Sequence, residues 1–432
     1  MTAFQIIALA VFGVFIVGGL VFFATYRGHS AQDIGSITIW GTLDGTAMSR
    51  VIEAESNTDQ RFAHVTYVEK DPATFDSDLA EALAAGFGPD LFLLPQDLIM
   101  REQNKIATIS YTKQAPGMPQ QVYENTFIGE SSLFETASGF YGYPFLADPM
   151  VLYWNKDTFA KNGIARPPAI WDDVLSDAQA MSATDPSGTL SASAIALGES
   201  ANVLHLKDIL IMLVLQAGGT IMSGQADASP HSALSQVPSG AAESPAVSAL
   251  RFYTLFADPS QSVYSWNSAE PSSRDAFAQG KTAMYLGFAS ELPLIGQQNP
   301  NLSYGVAPMP QIKGAARNVT FGTLYALAIP RTSANPSGAA ALADDMTSAD
   351  VEQQFSDALG LPPARRDLLA SQADGSMLIF DRMALIADAW LDPNPAQTDA
   401  IFSTMVASVN SGSTEIASAV ARADQALSAL LQ

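Results

Sequence analysis

The feature that most constrains the fold of this chain is a regular alternation of strand-like and helix-like segments. Residues 36–41 (SITIWG) and 90–95 (DLFLLP) form apolar runs typical of buried strands, and residues 63–69 (AHVTYVE) alternate with a period of two. Between them, residues 46–56 and 74–85 carry apolar side chains at helical spacing. The order strand, helix, strand, helix, strand predicts a parallel sheet covered by helices.

The same alternation resumes in a second block that begins near Tyr153. Residues 193–198 (SAIALG) are strand-like, and residues 208–216 (DILIMLVLQ) predict a buried helix that ends before Gly218 and Gly219. Further strands are predicted at 282–288, 303–310 and 323–330, and a final helix at 416–430. A chain of 432 residues is too long for one ordinary core. The sequence therefore predicts an α/β protein of two domains or more.

An apolar run near the N-terminus predicts a membrane anchor at residues 4–25, followed by a linker at 26–35. Every residue from Ile6 to Ala24 is apolar or Gly, and about 20 residues at 1.5 Å rise match a hydrocarbon core of about 30 Å. The apolar region of a cleaved signal peptide is shorter, about 7–15 residues. Because Arg27 follows the run and no Lys or Arg precedes it, charge alone does not fix its orientation.

Composition and missing motifs exclude several classes of function. The chain carries 21 basic and 43 acidic residues, and a formal charge of -22 repels phosphate backbones, so we expect no nucleic-acid partner. There is no cysteine, which excludes disulfides, thiol chemistry and an N-terminal lipid on Cys. The four histidines lie far apart, and no nucleotide-binding loop or nucleophile elbow is present. We therefore expect no enzyme activity, no metal and no cofactor, although acidic residues are too numerous to exclude a glycosidase pair by counting.

Residues 141–159, YGYPFLADPMVLYWNKDTF, resemble a segment of a known protein family. The segment has an aromatic-proline pair at Tyr143, an acidic residue at Asp148, and an apolar-aromatic run that ends in Asn-Lys-Asp at 155–157. Three more matching pieces follow in order, at 171–173 (WDD), 276–284 (AFAQGKTAM) and 304–310 (YGVAPMP). Over about residues 36–432 the chain resembles the family 1 extracellular solute-binding proteins of ABC importers, the group that contains maltodextrin-binding protein.

The resemblance implies a two-lobed α/β fold of the periplasmic-binding-protein type II class, with a ligand cleft between lobes that close by hinge motion. It places residues 36–147 and 287–345 in lobe one, and residues 148–286 and 346–432 in lobe two. It also implies a monomer that lies on the extracytoplasmic side of the membrane and delivers its ligand to ABC permease subunits.

Candidate ligand-binding residues follow from strand ends, from loops and from the resemblance. The family frequently places a carboxylate at the position of Asp148, and an ionised carboxylate accepts two hydroxyls at once. Aromatic faces suit the apolar face of a sugar ring, and polar side chains at strand ends are expected to face the cleft. The predicted ligand-binding residues are Trp40, Asp44, Gln96, Asp148, Gln216, Trp266, Asn267, Phe288, Phe321 and Trp390.

The predicted function is capture of a mono- or oligosaccharide and its delivery to an importer. The maltodextrin-binding member has a Trp soon after the position of Gly287 and another at the position of 401–402, and this chain has neither, which argues against maltodextrin itself. Three alternatives stay open. The ligand could be a peptide, polyamine, phosphate ester or metal chelate; a strongly cationic one would need cleft acids beyond Asp44 and Asp148. The protein could be an anchored sensor or adhesin, or a glycoside-processing enzyme with two carboxylates about 5–10 Å apart.

Overall fold

The computed structural model describes residues 34–113, 117–224, 230–369 and 374–431. The predicted anchor at 4–25, and its linker as far as residue 33, lie outside the described residues. Within the described ranges, no helix has both the length and the apolar character that a membrane crossing requires.

Strands and helices alternate along most of the described chain. The strands are β1 Ile37–Gly41, β2 Val65–Glu69, β3 Leu91–Pro95, β4 Ile109–Ser110, β5 Gly139–Phe140, β6 Tyr143–Asn155, β7 Ala183–Thr184, β8 Leu190–Ile195, β9 Met222–Ser223, β10 His231–Ser232, β11 Thr282–Phe288, β12 Tyr304–Ala307, β13 Thr320–Ala328 and β14 Ala387–Asp388. The α-helices are α1 Gly45–Ser56, α2 Phe75–Ala85, α3 Ile99–Glu102, α4 Gln120–Thr126, α5 Lys156–Lys161, α6 Trp171–Met181, α7 Leu206–Gln216, α8 Pro245–Thr254, α9 Ser273–Ala278, α10 Leu292–Gln298, α11 Pro336–Met346, α12 Ala349–Leu359, α13 Arg366–Leu369, α14 Gly375–Ala384, α15 Pro395–Asn410 and α16 Ile416–Ala429.

The main sheet has the strand order β2-β1-β3-β13-β6-β11-β8-β7. β1 is parallel to β2 and β3, and β8 is parallel to β11, as expected for strands joined by helical crossovers. In the middle of the sheet β6 runs antiparallel to β11 and β13, and β13 runs antiparallel to β3, whereas the short β14 pairs with β13 in parallel. The alternation predicted for residues 36–95 is confirmed, because β1, α1, β2, α2 and β3 lie within two residues of the predicted bounds.

β6 belongs to both halves of the sheet. Its first half pairs with β13 as far as Pro149, and its second half pairs with β11 from Met150 onwards. β12 joins β6 from Leu152 to Asn155. Pro149 has no N–H to donate to a ladder, which suits a position where the strand changes partners. The chain therefore crosses between the two halves of the molecule at residues 148–150.

Packing contacts in the structure indicate lobe boundaries at other positions than residues 287 and 346, where they were predicted. β12 pairs with the second half of β6, whereas α12 packs against α1, where Gln354 donates a hydrogen bond to Glu55. Arg61 and Asp345 form an ion pair that holds α11 to the same half. We therefore propose that lobe one comprises residues 36–147 and 323–369, and lobe two comprises residues 148–322 and 374–431.

Candidate ligand cleft

The carboxyl ends of the parallel strands in both lobes meet around the crossing. β1 and β3 end before Thr42 and Gln96, and β11 ends at Phe288. Tyr325 of β13 pairs with Pro95, and Phe288 pairs with Met150, so both sets of strand ends lie beside residues 148–150 of β6. Ligands of open α/β sheets bind at such carboxyl ends. We take this region as the candidate ligand cleft.

Asp148 lies at the centre of the cleft, where it pairs with Thr323 of β13. It is only 5% exposed, and its Oδ1 accepts a hydrogen bond of 2.9 Å from the backbone N–H of Ser290. Burial raises the pKa of Asp148 to about 6, and the hydrogen bonds from Ser290 oppose this rise. Asp148 therefore makes two connections. Its carboxylate binds the turn that follows β11 of lobe two, and its backbone pairs with β13.

Glu291 organises the lobe-two side of the cleft. Its Oε2 accepts hydrogen bonds from the Tyr285 hydroxyl at 2.7 Å and from the Phe288 backbone N–H at 3.1 Å. Its Oε1 lies 3.0 Å from Arg274 Nη1 and 3.2 Å from His205 Nε2. Burial alone would raise the pKa of Glu291, but hydrogen bonds with His205 and Tyr285 and the charge of Arg274 outweigh it, so the pKa is lowered.

His205 immediately precedes α7 and has a left-handed backbone, with φ of 58°. A positive φ is uncommon for a residue other than Gly, and in this chain it turns the imidazole toward Glu291 and the edge of Phe288, whose ring centroid lies 4.8 Å away. Burial lowers the pKa of His205, but the hydrogen bond and charge of Glu291, with the charges of Asp208 and Asp148, raise it above its ordinary value.

Lys207 lies in the first turn of α7 and is surrounded by carboxylates. Its Nζ is 2.9 Å from Asp392 Oδ2 and 2.9 Å from Asp399 Oδ1, and it also donates to Thr398 Oγ1 at 3.2 Å. Burial lowers the pKa of Lys207, but the charges of Asp392, Asp208 and Asp399 outweigh this and raise it. Lys207 therefore remains charged and holds the segment that carries Asp392 against α7.

Asp97 of lobe one and Asp208 of lobe two are both affected by the charges of this cluster. Burial raises the pKa of Asp97 to about 7, and the charges of Asp392 and Asp208 add to the rise while Lys207 opposes it. Burial also raises the pKa of Asp208 to about 6, against the charges of Lys207 and His205. The Asp97 Oδ1 atom is buried and has no hydrogen-bond partner among the described residues.

An aromatic pair adds apolar surface to the cleft. Phe288 and Phe321 are 8% and 4% exposed, and their ring centroids lie 6.2 Å apart with an edge-to-face tilt of 69°. Tyr325 lies further along β13, near enough to Asp148 and Asp97 for their charges to raise its pKa after the larger effect of burial. The cleft thus combines carboxylates with aromatic groups.

Three predicted residues of lobe one have structural partners. The Trp40 ring is covered by Lys70, whose Nζ lies 3.7 Å from the ring centroid. Asp44 is exposed and caps α1 by accepting a 2.6 Å hydrogen bond from Ala47 N. Gln96 is buried and joins β3 to β13 through Gly322 O and Leu324 N. Of these three, Asp44 remains open to solvent.

Two predicted residues of lobe two form internal networks. The Gln216 side chain accepts a hydrogen bond from Trp171 Nε1 at 2.6 Å and donates to Pro310 O and Val319 O, which uses its carbonyl and both amide hydrogens. Trp266 is fully buried, and its indole N–H donates to Asn202 Oδ1 at 2.9 Å. Trp266 is therefore a core residue in this structure, because Asn202 supplies the polar partner that lets the indole enter the core, and its contact with a ligand stays a prediction.

The neighbouring Asn267 and the late Trp390 also lie against protein groups. Asn267 donates to the Tyr264 hydroxyl at 3.1 Å and accepts from Ala269 N at 2.9 Å. Trp390 is buried and packs edge-to-face on Phe402 at 6.2 Å. The structure therefore brings Asp148, Phe288 and Phe321 together in the cleft and places Trp266, Asn267 and Gln216 in supporting positions.

Several cleft residues escaped the sequence analysis. These are His205, Lys207, Asp208 and Glu291 of lobe two, with Asp97 and Tyr325 of lobe one. Asp97 directly follows Gln96, a predicted ligand-binding residue, so the end of strand β3 was a signal that could have identified Asp97 as well. The left-handed backbone of His205 leaves no mark in the sequence, because a positive φ is uncommon for every residue other than Gly.

A family model described as bacterial extracellular solute-binding protein matches residues 44–353. The chain belongs to this family. The predicted resemblance is thereby confirmed, and members of the family are binding proteins. Putative binding proteins of Brucella abortus (strain 2308) and Brucella suis are 27% identical over 263 residues, which is 59% of this chain. The match covers 58% of the length of those relatives.

Solved structures with the same fold confirm the two-lobed α/β architecture. A cyclic alpha-maltosyl-1,6-maltose binding protein from Arthrobacter globiformis is 16% identical with a TM-score of 0.74, covering 92% of this chain and 99% of that one. A cyclo/maltodextrin-binding protein complexed with maltotetraose is 17% identical with a TM-score of 0.72, covering 94% and 99%. An ABC transporter solute-binding protein from Thermotoga lettingae, bound with alpha-D-tagatose, is 23% identical with a TM-score of 0.65, covering 92% and 100%.

Proposed function

We propose that this solute-binding protein captures a small carbohydrate between its lobes, without changing it chemically, and delivers it to an ABC importer. The observation that carries the proposal is the convergence of both sets of strand ends on Asp148, next to Phe288 and Phe321. A carboxylate accepts hydrogen bonds from sugar hydroxyls, and aromatic groups cover the apolar face of the ring. Ligands carried by proteins of the same fold, among them alpha-D-tagatose and maltotetraose, support a carbohydrate.

The location of the protein is part of the same proposal. The family is extracellular, so we place lobes one and two on the extracytoplasmic side of the membrane, as a monomer held by the apolar run at residues 4–25. This arrangement would keep the protein close to its permease subunits, since a tether raises the effective concentration of its partner.

Isothermal titration against a panel of mono- and oligosaccharides tests the proposal. We expect at least one sugar to bind, and Asp148→Ala to weaken it at least about tenfold because a buried acceptor of charged hydrogen bonds is lost. Asp172→Asn, an exposed acid on α6, is the matched control and should bind as the wild type. If no sugar in the panel binds, the carbohydrate assignment fails.

The enzyme alternative needs a separate measurement, because carboxylates do converge in the cleft. Asp97 and Asp208 belong to different lobes, and the charge of Asp208 contributes to the raised pKa of Asp97; a glycosidase also uses a pair of carboxyl groups. We favour binding because the family consists of binding proteins. Chromatography of each bound oligosaccharide after prolonged incubation should return it intact; shortened products, lost in Asp97→Asn, would instead establish hydrolysis.

A further inference from the structure

The side chain of Phe87 projects into solvent at the end of α2. It is 84% exposed, whereas no other large apolar side chain in the described ranges exceeds 52%. Its neighbours Ala84, Ala85 and Gly86 are exposed as well, and residues 82–89 (ALAAGFGP) carry no charge in a chain with a formal charge of -22. Single exposed apolar residues are common on protein surfaces, so the backbone that holds Phe87 and its place in the fold decide whether it can act as a contact.

The backbone around Phe87 is ordered and holds the ring outward. Gly86 ends α2 with a left-handed φ of 77°, and its N–H donates to Leu83 O at 3.3 Å. The N–H of Phe87 donates to Ala82 O at 3.0 Å. These two bonds form a Schellman motif, in which the residue after the left-handed glycine frequently packs on the last turn of its own helix. Because Phe87 is so exposed, its ring leaves this contact largely unmade and is free for another apolar surface.

Phe87 lies at the edge of lobe one that is opposite the cleft. β1, β2 and β3 are parallel and their carboxyl ends face the cleft, so the loops before these strands lie at the other edge, which we call the amino edge. Asp90, in the same loop as Phe87, accepts hydrogen bonds of 3.1 Å from Thr38 N of β1 and from Ser333 Oγ. Ser333 follows β13, which runs antiparallel to β3 and therefore ends at the amino edge.

The first described residue, Ile34, lies at the amino edge too. Its carbonyl accepts a 2.5 Å hydrogen bond from Asn335 Nδ2, and Asn335 N donates to Ser333 Oγ at 3.1 Å. Through Ser333 this network reaches the loop that carries the exposed ring. With residues 4–25 in a bilayer, the predicted linker at 26–33 reaches at most about 28 Å when fully extended. The amino edge of lobe one is therefore the part of the described structure that the tether holds close to the lipid.

We propose that Phe87 inserts into the interfacial region of the bilayer and holds the amino edge of lobe one on the membrane surface. This inference rests on the anchor at residues 4–25, which belongs to the proposed function, and adds a second membrane contact. One aromatic ring binds a bilayer weakly by itself, but a tether raises the effective concentration of lipid at the loop, so a weak contact suffices. The carboxyl ends of the strands, and with them the cleft, would then point away from the lipid.

A tryptophan in place of the phenylalanine reports the contact. The full-length chain is reconstituted in vesicles of phosphatidylcholine and, in parallel, of phosphatidylcholine brominated on its acyl chains. The emission added by Phe87→Trp is the variant's emission minus that of the wild type, which has five tryptophans of its own. We expect the brominated lipid to quench this added emission about twofold or more, because an interfacial indole lies at the depth of the upper acyl chains.

Val237→Trp is the matched control. Val237 is 52% exposed in a loop of lobe two, so an indole there should be solvated and should keep its emission in brominated vesicles. Equal quenching of the two added tryptophans would overturn the assignment of the contact to the amino edge. Iodide added to the same samples measures access from water, which we expect to be lower for Phe87→Trp than for Val237→Trp.

The outcomes separate this contact from the anchor. Flotation of the wild type with its vesicles in a density gradient tests the anchor, and a chain that does not float would overturn both the anchor and the contact. Flotation without quenching of Phe87→Trp would overturn the contact alone. Protection of Phe87→Trp from iodide without quenching by brominated lipid would show that a second copy of the chain covers the ring, and would overturn the bilayer as its partner.

Discussion

Glu130 offers a measurable link between pH and stability at the back of the crossing. Its side chain is 1% exposed, and neither carboxylate oxygen has a hydrogen-bond partner among the described residues. It lies against Gly322 of β13, where an added Cβ would be 2.9 Å from its Oε2. Burial, with smaller effects from the charges of Asp388 and Asp148, raises the pKa of Glu130 to about 8.

The direction of the pH effect follows from proton binding in the two states. Between pH 4.5, the ordinary pKa of Glu, and pH 8, folded Glu130 keeps its proton whereas the unfolded chain releases it. The free energy of unfolding therefore falls as pH rises through this window, by about 1.4 kcal/mol per unit. Over the whole window the upper limit is about 5 kcal/mol.

Glu130→Gln removes this dependence while preserving shape. An amide and a protonated carboxyl both remain neutral, so the two proteins should differ little in stability at pH 5. At pH 8 the variant should be more stable, by several kcal/mol at most. Thermal or urea unfolding at pH 5, 6, 7 and 8 measures the difference, with the exposed Glu81→Gln as control. A difference that stays constant across these pH values would refute the buried, protonated state of Glu130.

Three further predictions concern the groups that support the cleft. Glu291→Gln should lower the pKa of His205, because it removes the charge that offsets burial, and an NMR titration of the imidazole reports it. Trp266→Ala should destabilise lobe two by about 3–5 kcal/mol, measured by chemical unfolding, and leave sugar affinity within about threefold where the protein is folded; a large selective loss of affinity would restore Trp266 to the ligand site. Gln96→Ala should cost about 1–3 kcal/mol in the same assay, since it leaves buried backbone groups of β13 unpaired, and an unchanged midpoint would contradict this.

The sequence predicted local elements well because their patterns are local. Periods of two and of helical spacing set the bounds of β1, α1, β2, α2 and β3 without reference to the rest of the chain. The choice of which strand pairs with which leaves no such pattern in the sequence. β11 and β13 are both apolar strands, and only the structure shows that β13 lies between β3 and β6. The lobe boundary predicted at residue 287 differs from the observed contacts for this reason.

The candidate site was predictable where the resemblance or the bounds of a predicted strand pointed to a residue. Asp148 was predicted from the resemblance, Phe288 from the end of a strand and Phe321 from the start of one, and the structure places all three at the crossing. Trp266 was predicted to bind ligand because its loop is polar, but the hydrogen bond that its indole N–H donates to Asn202 Oδ1 makes burial favourable. Such pairings between distant residues depend on the folded backbone, so composition around a residue does not reveal them.

The position of β13 in the sheet also sets the order in which the molecule can fold. β3 and β6 are separated in lobe one by a strand made more than 160 residues after β6 ends, and α12 packs on α1 from still further along the chain. Contacts of such long sequence separation form slowly because the loop between them must close first. We therefore expect lobe one to remain incomplete during synthesis until residues near 360 have emerged. An N-terminal fragment that stops before β13 should be prone to aggregation, since it would expose the facing edges of β3 and β6.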